Sequence, residues 1–122
     1  MSQLSLEEIY QEIGKIVERF TVLECDRCAK AIINWLQANG IKGTILRLRT
    51  RYPDEDFIIS DRLERRGITE SITLNGQHYG VGVEGRVFDN LSKEGLTRDE
   101  WVRDFHCEAR RIYFGRIRRV VI

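Results

Sequence analysis

The sequence predicts an α+β domain in which N-terminal helices pack on an antiparallel β-sheet. Three observations point there. Apolar residues recur at helical spacing as far as Asn39-Gly40, the period changes to two from Gly43, and turn dipeptides then separate short apolar runs along most of the remaining chain.

Each element has a local reason. Ser5 with Glu8 three residues on forms a capping-box pattern, and Leu6, Ile9, Ile13, Ile16 and Phe20 follow at helical spacing, which predicts a helix over 6–20. After Thr21-Val22-Leu23, a second stripe of Cys25, Cys28, Ala29, Ile32, Ile33 and Leu36 runs until Asn39-Gly40 stops it. Leu46 and Leu48 alternate with Arg47, Arg49 and Arg51, the pattern of a strand with one wet face. Tyr52-Pro53-Asp54 marks a turn, short strands are expected at 57–60 and 68–74, and Asn75-Gly76 is a further turn signal. Residues 78–83 and 86–89 flank Glu84-Gly85 as a tight hairpin. Thr97 with Glu100 begins a short helix through Phe105, and 112–122 alternates as a final strand.

At 122 residues, with one proline and neither repeat nor linker, a single domain spanning 1–122 is expected. Twenty Lys and Arg against nineteen Asp and Glu leave a net charge of +1, so no global field draws the chain to nucleic acid or anionic lipid. No apolar run reaches the roughly 20 residues that span a membrane, and no targeting segment is evident, so a cytoplasmic setting is expected. Three cysteines, two of them three positions apart, argue against a secreted disulfide framework and for reduced thiols, a metal site or a nucleophile.

Cys25 stands at the start of the second helix, where free backbone N–H groups and the positive end of the dipole favour a thiolate. Cys28, nearly one turn inside, is the alternative nucleophile. A thiol nucleophile needs a base in reach and a group to orient it. With Glu84 and Gly85 as loop residues, Val83 pairs with Arg86, Gly82 with Val87 and Gly80 with Asp89, so His78, Gly80, Gly82, Val87 and Asp89 share one face. His78 and Asp89 become diagonal neighbours, about 7–8 Å apart at the backbone. The two glycines would leave that face open to a helix N-terminus or a substrate.

Bland readings stand beside these. Cys25-x-x-Cys28 could be half a zinc site with His106 or Cys107, but a second well-spaced ligand pair is missing; a thioredoxin-type pair lacks its surrounding βαβ pattern. No cofactor or metal is therefore expected. His106 is most simply a residue at a helix C-terminus, and Cys107 a buried thiol. Arg110, Arg111, Arg116, Arg118 and Arg119, with Tyr113 and Phe114 between them, could bind nucleic acid, but an edge strand protected by charge is the simpler account.

The segments Cys25-Asp26-Arg27-Cys28-Ala29, Asn75-Gly76-Gln77-His78-Tyr79-Gly80-Val81 and Val87-Phe88-Asp89-Asn90 together resemble the small papain-fold toxin domains of bacterial polymorphic toxin systems, within the papain-like cysteine peptidases. The resemblance spans roughly residues 20–105. It implies a papain-like fold and a thiol hydrolase, whether protease, deamidase or acyltransferase, with Cys25 as nucleophile, His78 as general base and acid, and Asp89 as the orienting carboxylate. It also implies a protein substrate, an effector or toxin role in a target cell's cytoplasm and a cognate immunity protein as partner. Ala29 looks like the small residue often found four positions after the nucleophile. The glutamine that serves the oxyanion hole in such peptidases has no counterpart just before Cys25; Gln77 is the substitute donor to consider. The competing class is a catalytically silent module that holds a protein or nucleic acid on an arginine-rich sheet face.

Overall fold

Ser5 begins the first helix as the capping pattern requires: its hydroxyl accepts from the Glu8 N–H, and the Glu8 carboxylate accepts from the Ser5 N–H at 3.0 Å. The computed structural model describes residues 4–50, 56–107 and 112–118, the last stretch as backbone. The elements in chain order are α1 (Leu6–Val17), α2 (Cys25–Ala38), β1 (Thr44–Thr50), β2 (Ile59–Ser60), α3 (Asp61–Glu64), β3 (Gln77–Val83), β4 (Arg86–Asp89), β5 (Ser92–Leu96), α4 (Arg98–Arg103), β6 (Phe105–His106) and β7 (Ile112–Arg118). The architecture is α+β.

Five strands form one antiparallel sheet in the order β5-β4-β3-β1-β7, and β2 and β6 form a separate two-stranded ladder. One sheet face is covered by the N-terminal helices. Ile9, Ile13, Ile16 and Val17 of α1 and Cys28, Ala29, Ile32, Ile33 and Leu36 of α2 bury against Val81, Val83 and Phe88. The opposite face carries Leu46, Leu48 and Val87, which pack with Ile58, Leu63, Ile72, Trp101 and Phe105. The sheet therefore has a core on both sides. Because strand side chains alternate, neighbouring residues of β3 belong to different cores.

The hairpin between β3 and β4 has the register read from the sequence at Val83↔Arg86 and Gly82↔Val87. Its turn residues Glu84 and Gly85 have φ of 46° and 86°, the pair of positive values that a two-residue turn matching the strand twist demands. Tyr10 of α1 donates its hydroxyl to the Glu84 carbonyl at 2.6 Å, which accommodates a non-glycine residue there.

Several expectations fail. α1 stops at Val17 because the chain tightens into i→i+3 turns, Arg19 N–H to Ile16 and Phe20 N–H to Val17. The strand expected at 57–60 shrinks to β2, and 68–74 forms no strand: it is fixed by an Ile72 N–H to Ile58 carbonyl bond, while Ile68 and Leu74 face solvent. α4 ends at Arg103 because Phe105 and His106 leave to pair with Ser60 and Ile59. His106 is thus a strand residue, not a helix C-terminal one; Cys107 is buried as expected. The sequence pattern missed α3 and β5. β1 is an interior strand, and Arg51 and the Tyr52-Pro53-Asp54 turn lie outside the described residues. β7 occupies a sheet edge; Arg110, Arg111 and Arg119 lie outside the described residues, as does 119–122 of the expected final strand. Among the described residues no helix is long and apolar enough to cross a membrane.

Candidate active site

His78, the second residue of β3, lies opposite Leu48 of β1, and its ring enters the core that holds Trp101 and Phe105. It is fully buried, with the Phe105 ring 4.7 Å and the Trp101 indole 5.9 Å away, centroid to centroid. Asp89, the last residue of β4, is fully buried too, and the imidazole Nε2 donates to its Oδ2 at 2.7 Å. The diagonal pairing read from the hairpin brings these two side chains together.

The carboxylate is held from every side. Trp101 Nε1 donates to the same Oδ2 at 2.7 Å, and the Leu91 N–H donates to Oδ1 at 2.9 Å. Burial alone would push this carboxyl upward, but the bond and charge of His78, with further bonds from Ser92 and Trp101, bring it down to about 2. Burial likewise opposes charge on His78. The bonds from Asp89 and Cys25 and the charges of both overcome it, and the imidazole rises to about 9. Both shifts favour the charged form of each partner.

Cys25 is the first residue of α2 and is 6% exposed. Its sulfur lies 4.0 Å from the Gln77 carbonyl, the long limit for a thiol donor. It reaches the start of β3, and it acts on the His78 ring. The ring nitrogen left over by Asp89, Nδ1, is buried and makes no hydrogen bond of ordinary geometry. An unpaired polar atom in a core costs about 1–3 kcal/mol, and such atoms gather where a catalytic partner is needed.

The chain before Cys25 is fastened to the acid strand. Asn90 Nδ2 donates to the carbonyls of Thr21 and Val22 at 2.8 and 2.7 Å. Glu24, the residue preceding the helix, does not cap it. Its carboxylate turns back to the N–H and hydroxyl of Thr21 at 2.8 and 2.9 Å, so no side chain caps the first turn of α2.

Cys28 is fully buried among the residues of the upper core. Burial, then the charges of Asp89, Cys25 and Glu24, push its thiol up to about 12, which weighs against it as a nucleophile. Gln77 precedes His78 and so points to the other face of the sheet, where its Oε1 accepts from the Tyr79 hydroxyl at 2.8 Å, a bond that leaves its amide N–H groups as donors; its main-chain carbonyl is what lies against the Cys25 sulfur.

Of the glycine-cleared face expected at Gly80 and Gly82, the Gly82 end keeps room, a Cβ there meeting only Leu46 Cδ1 at 3.7 Å and the Thr44 carbonyl at 3.8 Å, and the Gly80 end is filled. A Cβ at Gly80 would meet Trp101 Cζ2 at 2.8 Å and Val87 Cγ1 at 2.9 Å, so the indole fills that space. Trp101 is the site residue the sequence reading missed. Its one signal was a tryptophan on the apolar side of a short capped helix, where its N–H needs an acceptor. The platform beneath it is tied by Asp104, which accepts from the Ser60 hydroxyl at 2.6 Å and the Arg62 N–H at 2.9 Å and faces the Arg62 guanidinium at 3.0 Å.

The cysteines do not join His106 in a zinc-like cluster. Among the described residues, the group with metal-ligand spacing is Asp61, Glu64 and His106, within 4.8 Å of one another; His106 Nδ1 is already hydrogen-bonded to Asp61 at 2.6 Å.

The charged pair makes stability depend on pH on both sides. Folding raises His78 above its ordinary 6.5, so that contribution is whole below 6.5 and lost as pH rises through about 9. Folding depresses Asp89 below its ordinary 3.8, so that contribution is whole above 3.8 and lost as pH falls through about 2. Urea midpoints should therefore be highest between these ordinary values and decline towards pH 9 and pH 2. A midpoint that stays level from pH 6.5 to 9 would show that His78 is not charged in the fold.

The family model described as papain fold toxin 2 matches residues 8–106 of the chain. Neither the curated proteins nor the solved structures contain a match.

Proposed function

The chain belongs to the papain fold toxin 2 family, and from this premise we propose that it is a cysteine-dependent thiol hydrolase acting on a protein substrate. The observation that carries the reading is the buried His78–Asp89 pair at 2.7 Å, whose second imidazole nitrogen makes no hydrogen bond of ordinary geometry among the described residues and whose proton affinity the neighbouring Cys25 raises.

In this reading Cys25 Sγ attacks a carbonyl or carboxamide carbon. The C=O pair moves to oxygen, and the uncapped N–H groups of the first turn of α2 are the donors best placed to receive that charge. His78 gives its Nδ1 proton to the departing amine or ammonia as the C–N bond breaks, leaving an acyl thioester on Cys25. Water then attacks the thioester, His78 takes its proton, and the acid is released with the thiolate restored. Asp89 keeps Nε2 protonated and the ring fixed throughout; Trp101 and the Leu91 N–H keep Asp89 fixed. Acyl transfer to an amine would replace the water. A toxin role in a target cell's cytoplasm, opposed by an immunity protein, accords with the family.

The test is iodoacetamide labelling of the folded protein at pH 6.5, with peptide mass mapping. Cys25 should label at least about tenfold faster than Cys28 and Cys107, because it is the thiol set beside the His78 imidazole at the first turn of α2. Equally slow labelling of all three thiols would defeat the proposal.

A further inference from the structure

All three cysteines are free thiols, and two of them share the first turn of α2. Cys25 is the first residue of the helix and Cys28 the fourth. At helical rise and radius their Cα atoms are about 5 Å apart, inside the roughly 4.4–6.8 Å range of disulfides. Their Cβ atoms in a regular turn stand about 5–6 Å apart, more than the roughly 3.5–4.5 Å of a disulfide. Closure therefore asks Cys25 to turn inward. It stands where that is least restrained. Its N–H belongs to no helical bond, no side chain caps the turn, and Glu24 before it, at φ −109° and ψ 32°, is outside helical geometry.

The two sulfurs are unequal in a useful way. Cys25 is at the edge of the core beside His78, and Cys28 is fully buried behind it. An outer sulfur that an oxidant can reach and an inner thiol that resolves the product is the arrangement that makes oxidation reversible.

We propose that Cys25 and Cys28 form an oxidative modification site, at which hydrogen peroxide converts the proposed nucleophile into a Cys25–Cys28 disulfide that thiols reverse. The inference rests on Cys25 being the reactive sulfur. In the first step the Cys25 thiolate attacks one peroxide oxygen, the O–O bond breaks, and the sulfenic acid forms as hydroxide leaves and takes a proton to become water. In the second step Cys28 sulfur attacks the sulfenic sulfur, the S–O bond breaks, and the leaving hydroxide takes the Cys28 proton as a second water. Two thiols are oxidised by two electrons and one peroxide is reduced. The linkage removes the nucleophile and shields it from further oxidation to sulfinic acid.

The test treats reduced protein with a few equivalents of hydrogen peroxide and reads intact mass, disulfide-mapped peptides and iodoacetamide labelling of Cys25 before and after dithiothreitol. Wild type should become about 2 mass units lighter, yield a Cys25–Cys28 linked peptide and recover full labelling with dithiothreitol. Cys28→Ala, with Cys28→Ser as the second variant in case packing suffers, should instead gain about 32 mass units at Cys25 and stay unlabelled after dithiothreitol. Wild type that accumulates the same sulfinic acid, or links through Cys107, overturns the proposal while fast labelling of the reduced protein leaves the hydrolase reading intact. Slow labelling of Cys25 in the reduced protein overturns both.

Discussion

Asp89→Ala is expected to cost about 3–5 kcal/mol of folding stability, the usual penalty for removing one partner of a buried charge pair. The loss is large because a single carboxylate satisfies His78 Nε2, Trp101 Nε1 and the Leu91 N–H at once. Alanine would strand these three donors and leave an imidazole in a dry core with nothing to balance its charge. Small domains have only about 5–15 kcal/mol in hand, so Tm should fall by roughly 10–25 °C. Asp89→Asn separates shape from charge. Its amide oxygen can still accept from Trp101, while the charge that holds His78 protonated is gone, so its Tm should lie between those of wild type and Asp89→Ala. Calorimetry or urea titration decides it: an Asp89→Ala protein within about 1 kcal/mol of wild type would mean that the pair does not hold the core together.

His78→Ala should slow iodoacetamide labelling of Cys25 at pH 6.5 by about 100-fold, the lower range of what a positioned acid–base group contributes. Loss of structure would act in the opposite direction. Local opening exposes buried thiols, so an unfolded variant would label faster at Cys28 and Cys107 as well. Selective slowing at Cys25 alone is therefore the signature of a lost partner. His78→Gln, which fills more of the space between Trp101 and Phe105, should slow labelling equally and lose less stability. Unchanged labelling of Cys25 in both variants would remove His78 from the mechanism.

The parts of this arrangement that the sequence disclosed are local. The capping pairs Ser5/Glu8 and Thr97/Glu100 start helices where they were expected, the stripe from Cys25 to Leu36 buries as read, and a two-residue turn at Glu84-Gly85 sets the register that puts His78 beside Asp89. Each depends on residues a few positions apart, or on one tight hairpin. What escaped depends on chain closure. Nothing near Gly80 says that Trp101 will lie over it, and the apolar run 68–74 looks like a strand until the structure leaves Ile68 and Leu74 in solvent. His106 leaves its helix because Ile59, nearly fifty residues earlier, pairs with it. That Tyr79, two residues on and on the same face, donates its hydroxyl to Gln77 Oε1 is likewise a contact the sequence does not show.

The anchoring of the Thr21–Val22 segment by Asn90, and the covering of the dyad by Trp101, also set when the site can exist. Cys25 and Trp101 are separated by 101 − 25 = 76 positions. At a synthesis rate of about 5–20 residues per second, the helix bearing the sulfur leaves the ribosome roughly 4–15 seconds before the indole that completes the acid's surroundings. A nascent chain thus carries its cysteine for seconds without the buried charged pair beside it. A cell making such a protein meets the assembled site only after Trp101 has been translated.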